Sequence, residues 1–301
     1  MFGQLRSSRA ARRRTGLILI VPSVVLLAVI NLYPFIYALT MSFQRYNMTR
    51  AAQGAKFVGF ANYAAAFQDP RFINSIARTL IFVIGAVGVE FLLGFALAFV
   101  LNSKLRGMDT IRKLSIAPVT VMPIVSALLW FYLFNQRYGL VNWFIGLVGI
   151  PPQPWLTDQT LAMVSIIIAD VWQWTPFVML VILAGLNALP EYVYEAAQID
   201  GLSKWQQFRL VTLPLLMPVI LIIVLLRTMD AFKLFDLVYV MTQGGPAGST
   251  ETMSYYIYIQ AFNFFELGYA AALAIIMLIL INIIAQIFVR RLYREEAATS
   301  A

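Results

Sequence analysis

Six apolar stretches, at about 16–43, 78–101, 114–135, 160–186, 212–232 and 268–289, dominate the chain. Each comes near the ~20 residues that a helix needs to cross a ~30 Å hydrocarbon core. Lipid offers the backbone no hydrogen-bond partners, so runs of this length read as helices that satisfy their own N–H and C=O groups. Composition argues against burying them in a water-soluble globule. Hydrophobic residues make up 61% of the chain and charged residues 12%, against roughly 45–50% and ~25% in soluble domains. Too little polar surface is left to cover such a fold. The expectation is an all-α polytopic membrane protein with six transmembrane helices. It forms one domain, because no internal repeat, low-complexity tract or linker divides it.

Basic residues orient the spans. Arg6, Arg9, Arg12, Arg13 and Arg14 precede the first span with no acid among them. Lys104, Arg106, Arg112 and Lys113 follow the second, Lys204 and Arg209 the fourth, and Arg290, Arg291 and Arg294 the sixth. The opposite loops hold half as many: Arg45, Arg50, Lys56, Arg71, Arg78, Arg137 and Lys233. Cytoplasmic loops carry the excess of Lys and Arg, so both termini are expected in the cytoplasm. The first apolar run is too long for the core of a cleaved signal peptide. The chain then divides into a basic cytoplasmic segment 1–15, a transmembrane domain 16–292 and a cytoplasmic tail 293–301. The net charge of +8 reflects this topology and not nucleic-acid binding, because the basic residues sit beside apolar runs.

Most catalytic chemistry is missing. The chain has no Cys and no His, which removes thiolate chemistry, the commonest metal ligands and the commonest general base. It has no G-x-x-x-x-G-K-[ST], G-x-S-x-G or H-E-x-x-H motif, so neither nucleotide cradling nor these hydrolytic centres are expected. Asp170 and Asp230 lie in different spans, but in no motif of an intramembrane aspartyl protease.

The longest polar run is residues 190–218, between spans four and five, and it reads as helix, turn, helix. Pro190 suits a first helical turn. Glu191, Glu195 and Gln198 share one face. Gly201 permits a reversal, and Ser203 can cap a second helix to about Val211. Pro214 and Pro218 mark the return to the membrane. Ala196 and Ala197 keep a face slim for close approach, and Glu195 offers an acceptor to a basic partner. An amphipathic helix lying on the bilayer is the alternative, but such helices carry basic polar faces, and this one carries Glu191, Glu195 and Asp200.

Glu195-Ala196-Ala197, three residues, Gly201, nine residues and Val211-Thr212-Leu213-Pro214 form a fixed spacing. It resembles the E-A-A-x3-G-x9-I-x-L-P loop of permease subunits of binding-protein-dependent ABC importers, with Val211 replacing Ile. Tyr33-Pro34, Gly59-Phe60-Ala61-Asn62-Tyr63, Trp172-x-Trp174-Thr175-Pro176-Phe177 and Phe235-Asp236 through Gly244-Gly245-Pro246 extend the likeness. These are similar to the carbohydrate-uptake, maltose-type subfamily, and to its larger permease subunit without the inserted periplasmic domain. The resemblance implies that residues 190–214, with Glu195, Ala196, Ala197, Asp200, Gly201, Leu213 and Pro214, form a coupling loop docked on a cytoplasmic ATPase. It further implies a second homologous permease, two ATPase subunits that bind ATP and Mg, and an external solute-binding protein. The chain itself would bind no cofactor. The solute would be a sugar, oligosaccharide or polyol-like molecule, with sn-glycerol 3-phosphate or related glycerophosphodiesters as the alternative. The location implied is a bacterial or archaeal cytoplasmic membrane. An ion-coupled secondary transporter would be expected to show inverted repeats and interrupted helix pairs, which the sequence lacks.

Candidate pathway residues are Glu90, Asp170, Trp172, Trp174, Arg227, Asp230 and Asn282. A charge inside a span is costly and faces the bundle interior. Glu90 and Asp170 therefore either meet solute hydroxyls or find a partner on another helix. Arg227, Asp230, Lys233 and Asp236 recur every third residue, either as weak helix-surface pairs or as the outer mouth of a pathway. Trp172 and Trp174 either stack on sugar rings or anchor the span at an interface. Asn31 and Asn282 are expected to bond between helices. Thr242–Glu251 reads as a turn-forming outer loop.

Overall fold

The computed structural model describes residues 2–103 and 108–299. Lys104 and Arg106 of the inner-side cluster and the last two residues of the tail lie outside the described residues. So do the side chains of 2–17 and 293–299, among them Arg6, Arg9, Arg12, Arg13, Arg14 and Arg294. The chain divides into two compact units, residues 1–68 with 259–276 and residues 69–258 with 277–301.

In the first unit, helix α1 (Phe2–Ser42) is long and carries Pro22 and Pro34. Its most apolar window, within Ile18–Ser42, has no residue buried inside the chain, so it presents its surface to lipid or to another chain. Two short strands follow, β1 (Gln44–Arg45) antiparallel to β2 (Lys56–Phe57). Gly59, at φ +58°, turns the chain into α2 (Ala61–Gln68). Asn62 of α2 holds the end of α1 by donating to the carbonyls of Ser42 at 2.8 Å and Gln44 at 2.9 Å.

The second unit begins with α3 (Pro70–Leu101). Asp69 caps it by accepting from the N–H of Arg71 at 2.9 Å, and Pro70 fills the first turn. This helix therefore starts well before the apolar stretch at 78. After it come α4 (Met108–Ser115), α5 (Pro123–Leu133), α6 (Leu140–Leu147) and α7 (Gln159–Ala188). They are followed by α8 (Glu191–Ile199), α9 (Lys204–Gln207), α10 (Leu213–Ala231) and α11 (Met253–Tyr258). The last helix, α12, spans Leu267–Thr299. Among the described residues five helices are long and apolar enough to cross a membrane, or six if one bent pair counts as a span.

That bent pair corrects the expectation of a continuous third span at 114–135. Thr110–Thr120 and Pro123–Leu133 meet at 97°. Proline at 118 and 123 removes two N–H donors. Met122, which precedes Pro123, is pushed to extended backbone (φ −60°, ψ 138°), as the ring of a following proline requires. The break leaves the carbonyl of Val121 outside any helix, and Gln173 of α7, itself buried, donates to it at 2.9 Å. Irregular backbone at membrane depth survives only where protein satisfies it.

Helices α3, α7 and α10 form the core of this unit. Ala98, Met179, Ile182, Leu186, Leu216 and Ile223 are among the buried side chains packed there. Small residues set the helix separations. A Cβ on Gly94 of α3 would lie 2.8 Å from the Val178 side chain and 3.0 Å from the Met179 nitrogen of α7. Gly94→Ala is therefore expected to destabilise the fold by about 1–3 kcal/mol through overpacking, read as a lower melting temperature of the detergent-solubilised protein.

The loop expected to be a simple turn at 242–251 is instead densely bonded. The Thr250 hydroxyl contacts that of Thr242 at 2.7 Å and donates to the Gly245 carbonyl at 2.8 Å. The N–H of Met253 donates to the Thr79 hydroxyl at 2.9 Å. Beside it, the rings of Phe235, Tyr239, Tyr255 and Tyr258 lie 5.0–6.5 Å apart. Burial, then the nearby Glu251 carboxylate, pushes the Tyr255 phenol above its ordinary value.

Candidate functional site

Four charges converge between α3, α7 and α10. Arg227 of α10 donates from Nε to Glu90 Oε2 at 2.7 Å and from Nη2 to Glu90 Oε1 at 2.9 Å. The same Nη2 reaches Asp170 Oδ2 of α7 at 2.7 Å. Nη1 donates to Asp230 Oδ2 at 3.0 Å. Glu90 and Arg227 are 0% and 2% exposed and Asp170 is 4%, so water contributes almost nothing to their solvation. The Trp174 ring lies under the guanidinium, with its centroid 4.7 Å from Cζ, a contact worth about 2 kcal/mol or more when desolvated. Glu90 and Asp170 thus each find their partner on another helix, whereas Asp230 pairs with Arg227 within α10. Asp230 also pairs with exposed Lys233 at 3.3 Å, so one part of the run after Arg227 is a helix-surface pair and the other a buried network. Glu90 and Asp170 share a single guanidinium, which leaves carboxylate oxygens with acceptor capacity for further donors such as hydroxyls.

A second polar group lies nearby in the chain, on α5 and α7. Ser126 Oγ, Trp130 Nε1 and Thr175 Oγ1 are buried without a hydrogen-bond partner among the described residues. Trp172 packs edge-to-face on Trp130, with centroids 5.9 Å apart, and so stands inside the unit and not alone at an interface. The sequence marks Thr175 only as part of the Trp172–Phe177 likeness and carries no signal for Ser126 and Trp130, since these residue types are ordinary in spans. Only burial without a partner marks them, at an expected cost of about 1–3 kcal/mol each if nothing binds there. Asn282 does not join either group. Its amide donates to Leu278 O of its own helix at 2.8 Å, and Asn31 does the same to Leu27 O. A carbonyl four residues back is always within reach of such a side chain, which replaces the expected interhelical bonds.

After α7, α8 and the short α9 are separated by a turn at 200–203. Gly201, at φ +73°, ends α8. The N–H groups of Gly201 and Leu202 close back on the carbonyls of Gln198 and Ala197, both at 3.0 Å, in a glycine-dependent C-cap. Ser203 and Gln206 then form a reciprocal capping box. A π-helical turn at Phe208–Thr212 joins α9 to α10 without a break, so the second helix continues as the fifth span. Leu213 is half-buried and Pro214 exposed at that junction. Glu195, Ala196 and Asp200 are exposed, whereas Ala197 is 4% exposed and packs inside the chain. Its small size therefore serves this protein's own packing, and Ala196 alone keeps the outer face slim. Tyr192, Ile199 and Trp205 are 70%, 86% and 67% exposed. That apolar face was not anticipated, because the polar character of the segment masks it.

Residues 90–296 match the family described as binding-protein-dependent transport system inner membrane component. The trehalose/maltose transport system permease protein MalF of Thermococcus litoralis is 38% identical over 255 residues, covering 85% of this chain and 84% of that protein. The lactose transport system permease protein LacF of Rhizobium radiobacter is 34% identical, covering 93% of this chain and 95% of that one. A chain from a bacterial ABC transporter involved in the import of the acidic polysaccharide alginate has a TM-score of 0.82 at 21% identity, over 96% of this chain and 99% of its own. At that identity the likeness is one of fold. A second structure of an alginate transporter, in complex with a periplasmic protein bound to an alginate pentasaccharide, has a TM-score of 0.79. The family match and these relatives bear out the resemblance carried by the spacing from Glu195 to Pro214: the chain belongs to the binding-protein-dependent transport system inner membrane component family.

Proposed function

We propose that this chain is the permease subunit of an ATP-driven importer that passes a sugar, oligosaccharide or polyol-like solute from an external binding protein into the cytoplasm. The observation that carries the proposal is the exposed helix pair at 190–214. It offers Glu195, Ala196 and the apolar side chains of Tyr192 and Ile199 on a capped helix, and its second helix continues directly into a span. Movement of the docked pair is thereby transmitted to α10. The charge bias of the loops supports a cytoplasmic position for this pair and for both termini. A second homologous permease and two ATPase subunits complete the complex, and ATP and Mg bind on the latter. Sugar as the solute class is supported by the names of the relatives. The pathway runs past Glu90, Asp170, Trp172, Trp174, Arg227 and Asp230, where spare carboxylate oxygens and aromatic faces suit hydroxylated rings. Asn282, exposed on α12 with one amide N–H bonded within its own helix, stays a candidate for it.

The test is uptake by the assembled complex in proteoliposomes. Import should require internal ATP and the loaded binding protein, and should survive an uncoupler. Uptake abolished by the uncoupler and indifferent to ATP would mean an ion-coupled carrier instead. A panel of di- and oligosaccharides against sn-glycerol 3-phosphate and glycerophosphodiesters separates the two solute classes.

A further inference from the structure

The first turns of α3 and the loop ending at Glu251 enclose a cavity of about 530 Å³, whose walls include Arg71, Asn74, Ser75, Arg78, Gly248 and Glu251. These turns lie beyond the apolar part of the helix. At 32 residues, α3 is about 48 Å long at ~1.5 Å per residue, against a ~30 Å hydrocarbon core. The walls are fixed. Arg71 forks onto Glu251 through Nε at 2.8 Å and Nη2 at 2.7 Å, and its guanidinium lies 5.3 Å from the Tyr256 ring centroid. Tyr256 in turn donates to Asp69 at 2.5 Å, and Thr79 accepts from the backbone of Met253.

The charges do not balance. Glu251 satisfies part of Arg71, whose Nη1 makes no bond among the described residues. Half-buried Arg78 makes no hydrogen bond or ion pair with any described residue, and Asn74 makes none either. Among the lining side chains two guanidiniums face one carboxylate, while Asp69, next to Arg71, is held outside the lining by the Arg71 N–H and the Tyr256 hydroxyl, so the cavity wall carries one positive charge in excess. A planar guanidinium pairs bidentately with a carboxylate or a phosphate, and a single excess positive charge is balanced by one carboxylate better than by a phosphate monoester of about −1.5 to −2. The Asn74 amide and the remaining Glu251 and Ser75 lone pairs are suited to hydroxyls. The volume falls within the ~300–1,000 Å³ range of small-molecule sites, more than one carboxylate tip requires. We propose that this cavity is a binding site for a monoanionic sugar acid on the side of the protein from which solute arrives. The inference deepens the importer function proposed above and rests on it for that direction.

Binding of D-glucuronate and of D-glucose to the assembled complex in nanodiscs, followed by calorimetry, tests it. Glucuronate is expected to bind about tenfold tighter or more, the worth of one charge-assisted hydrogen bond. Arg78→Gln should abolish that preference. Asn74→Asp, an isosteric change at an exposed position, should abolish it too by neutralising the cavity from within. Equal affinity for the two sugars, or a preference that survives both variants, overturns the proposal. So does an Arg78→Gln protein that loses docking of the binding protein but keeps its glucuronate affinity, since the cavity then receives a partner's side chain. If the preference holds in a complex that imports nothing, the importer function fails and the anion site stands.

Discussion

Arg227→Met is expected to lower the stability of the protein by about 3–5 kcal/mol, the cost of leaving a buried ion pair without one partner. Arg227 supplies all of the cationic charge that Glu90 and Asp170 meet in the interior. Methionine fills much of the same volume but carries no donors, so two carboxylates would remain in an apolar setting. The folded protein should disappear from detergent extracts of the membrane, seen by size-exclusion chromatography of a fluorescent fusion. Arg227→Met combined with Glu90→Gln and Asp170→Asn removes every unpaired charge while keeping shape. That triple variant should recover part of the lost folded protein, because an uncompensated buried charge costs more than a buried amide short of a partner, at about 1–3 kcal/mol. A triple variant no better than the single one would mean that charge compensation is not what Arg227 contributes. The recovered protein also tests the proposed pathway role: with Glu90 and Asp170 neutral and only Asp230 still charged, beside Lys233, it should insert, and its uptake reports whether those two carboxylates meet solute.

Glu195→Lys is expected to reduce ATP-driven uptake about thirtyfold or more, the scale of a hot-spot loss of ~2 kcal/mol at an interface. Glu195 is exposed and bonded to nothing among the described residues, so the change should leave folding within about 0.5 kcal/mol of the parent. Reversal of its charge places like charges opposite the basic partner that the docking role requires. Gly201→Val acts differently. An added Cβ at Gly201 meets nothing within 4 Å, so crowding is absent. The penalty arises from φ +73°, a conformation costing a side-chain-bearing residue roughly 1–2 kcal/mol, and it tilts α8 against α9. Both variants should co-purify normally with the second permease. Wild-type uptake by a fully assembled Glu195→Lys complex would remove the coupling role from this helix.

The lengths and apolarity of the spans, their charge bias and the spacing from Glu195 to Pro214 were legible in the sequence because each is a property of neighbours along the chain. Helical period, cap chemistry and hydrocarbon thickness act locally, so Ser203 and Gly201 could be placed before any packing was known. The bend at 121–122 was not anticipated, although Pro118 and Pro123 flank it in the sequence. That the freed Val121 carbonyl would be met by Gln173 depends on how α7 lies against the break.

What the sequence determined alone is a polytopic helical permease with a polar helix pair between its fourth and fifth spans. Tertiary structure decided the rest. Glu90, Asp170 and Arg227 are separated by 57 to 137 residues, and no periodicity connects them. It was α3–α7–α10 packing that turned three isolated, costly charges into one satisfied network. Packing in space also left Ser126, Trp130 and Thr175 without hydrogen-bond partners, and Arg78 without an ion pair, among the described residues. A buried polar atom's energy depends on what faces it across a helix boundary, and that partner is chosen in space.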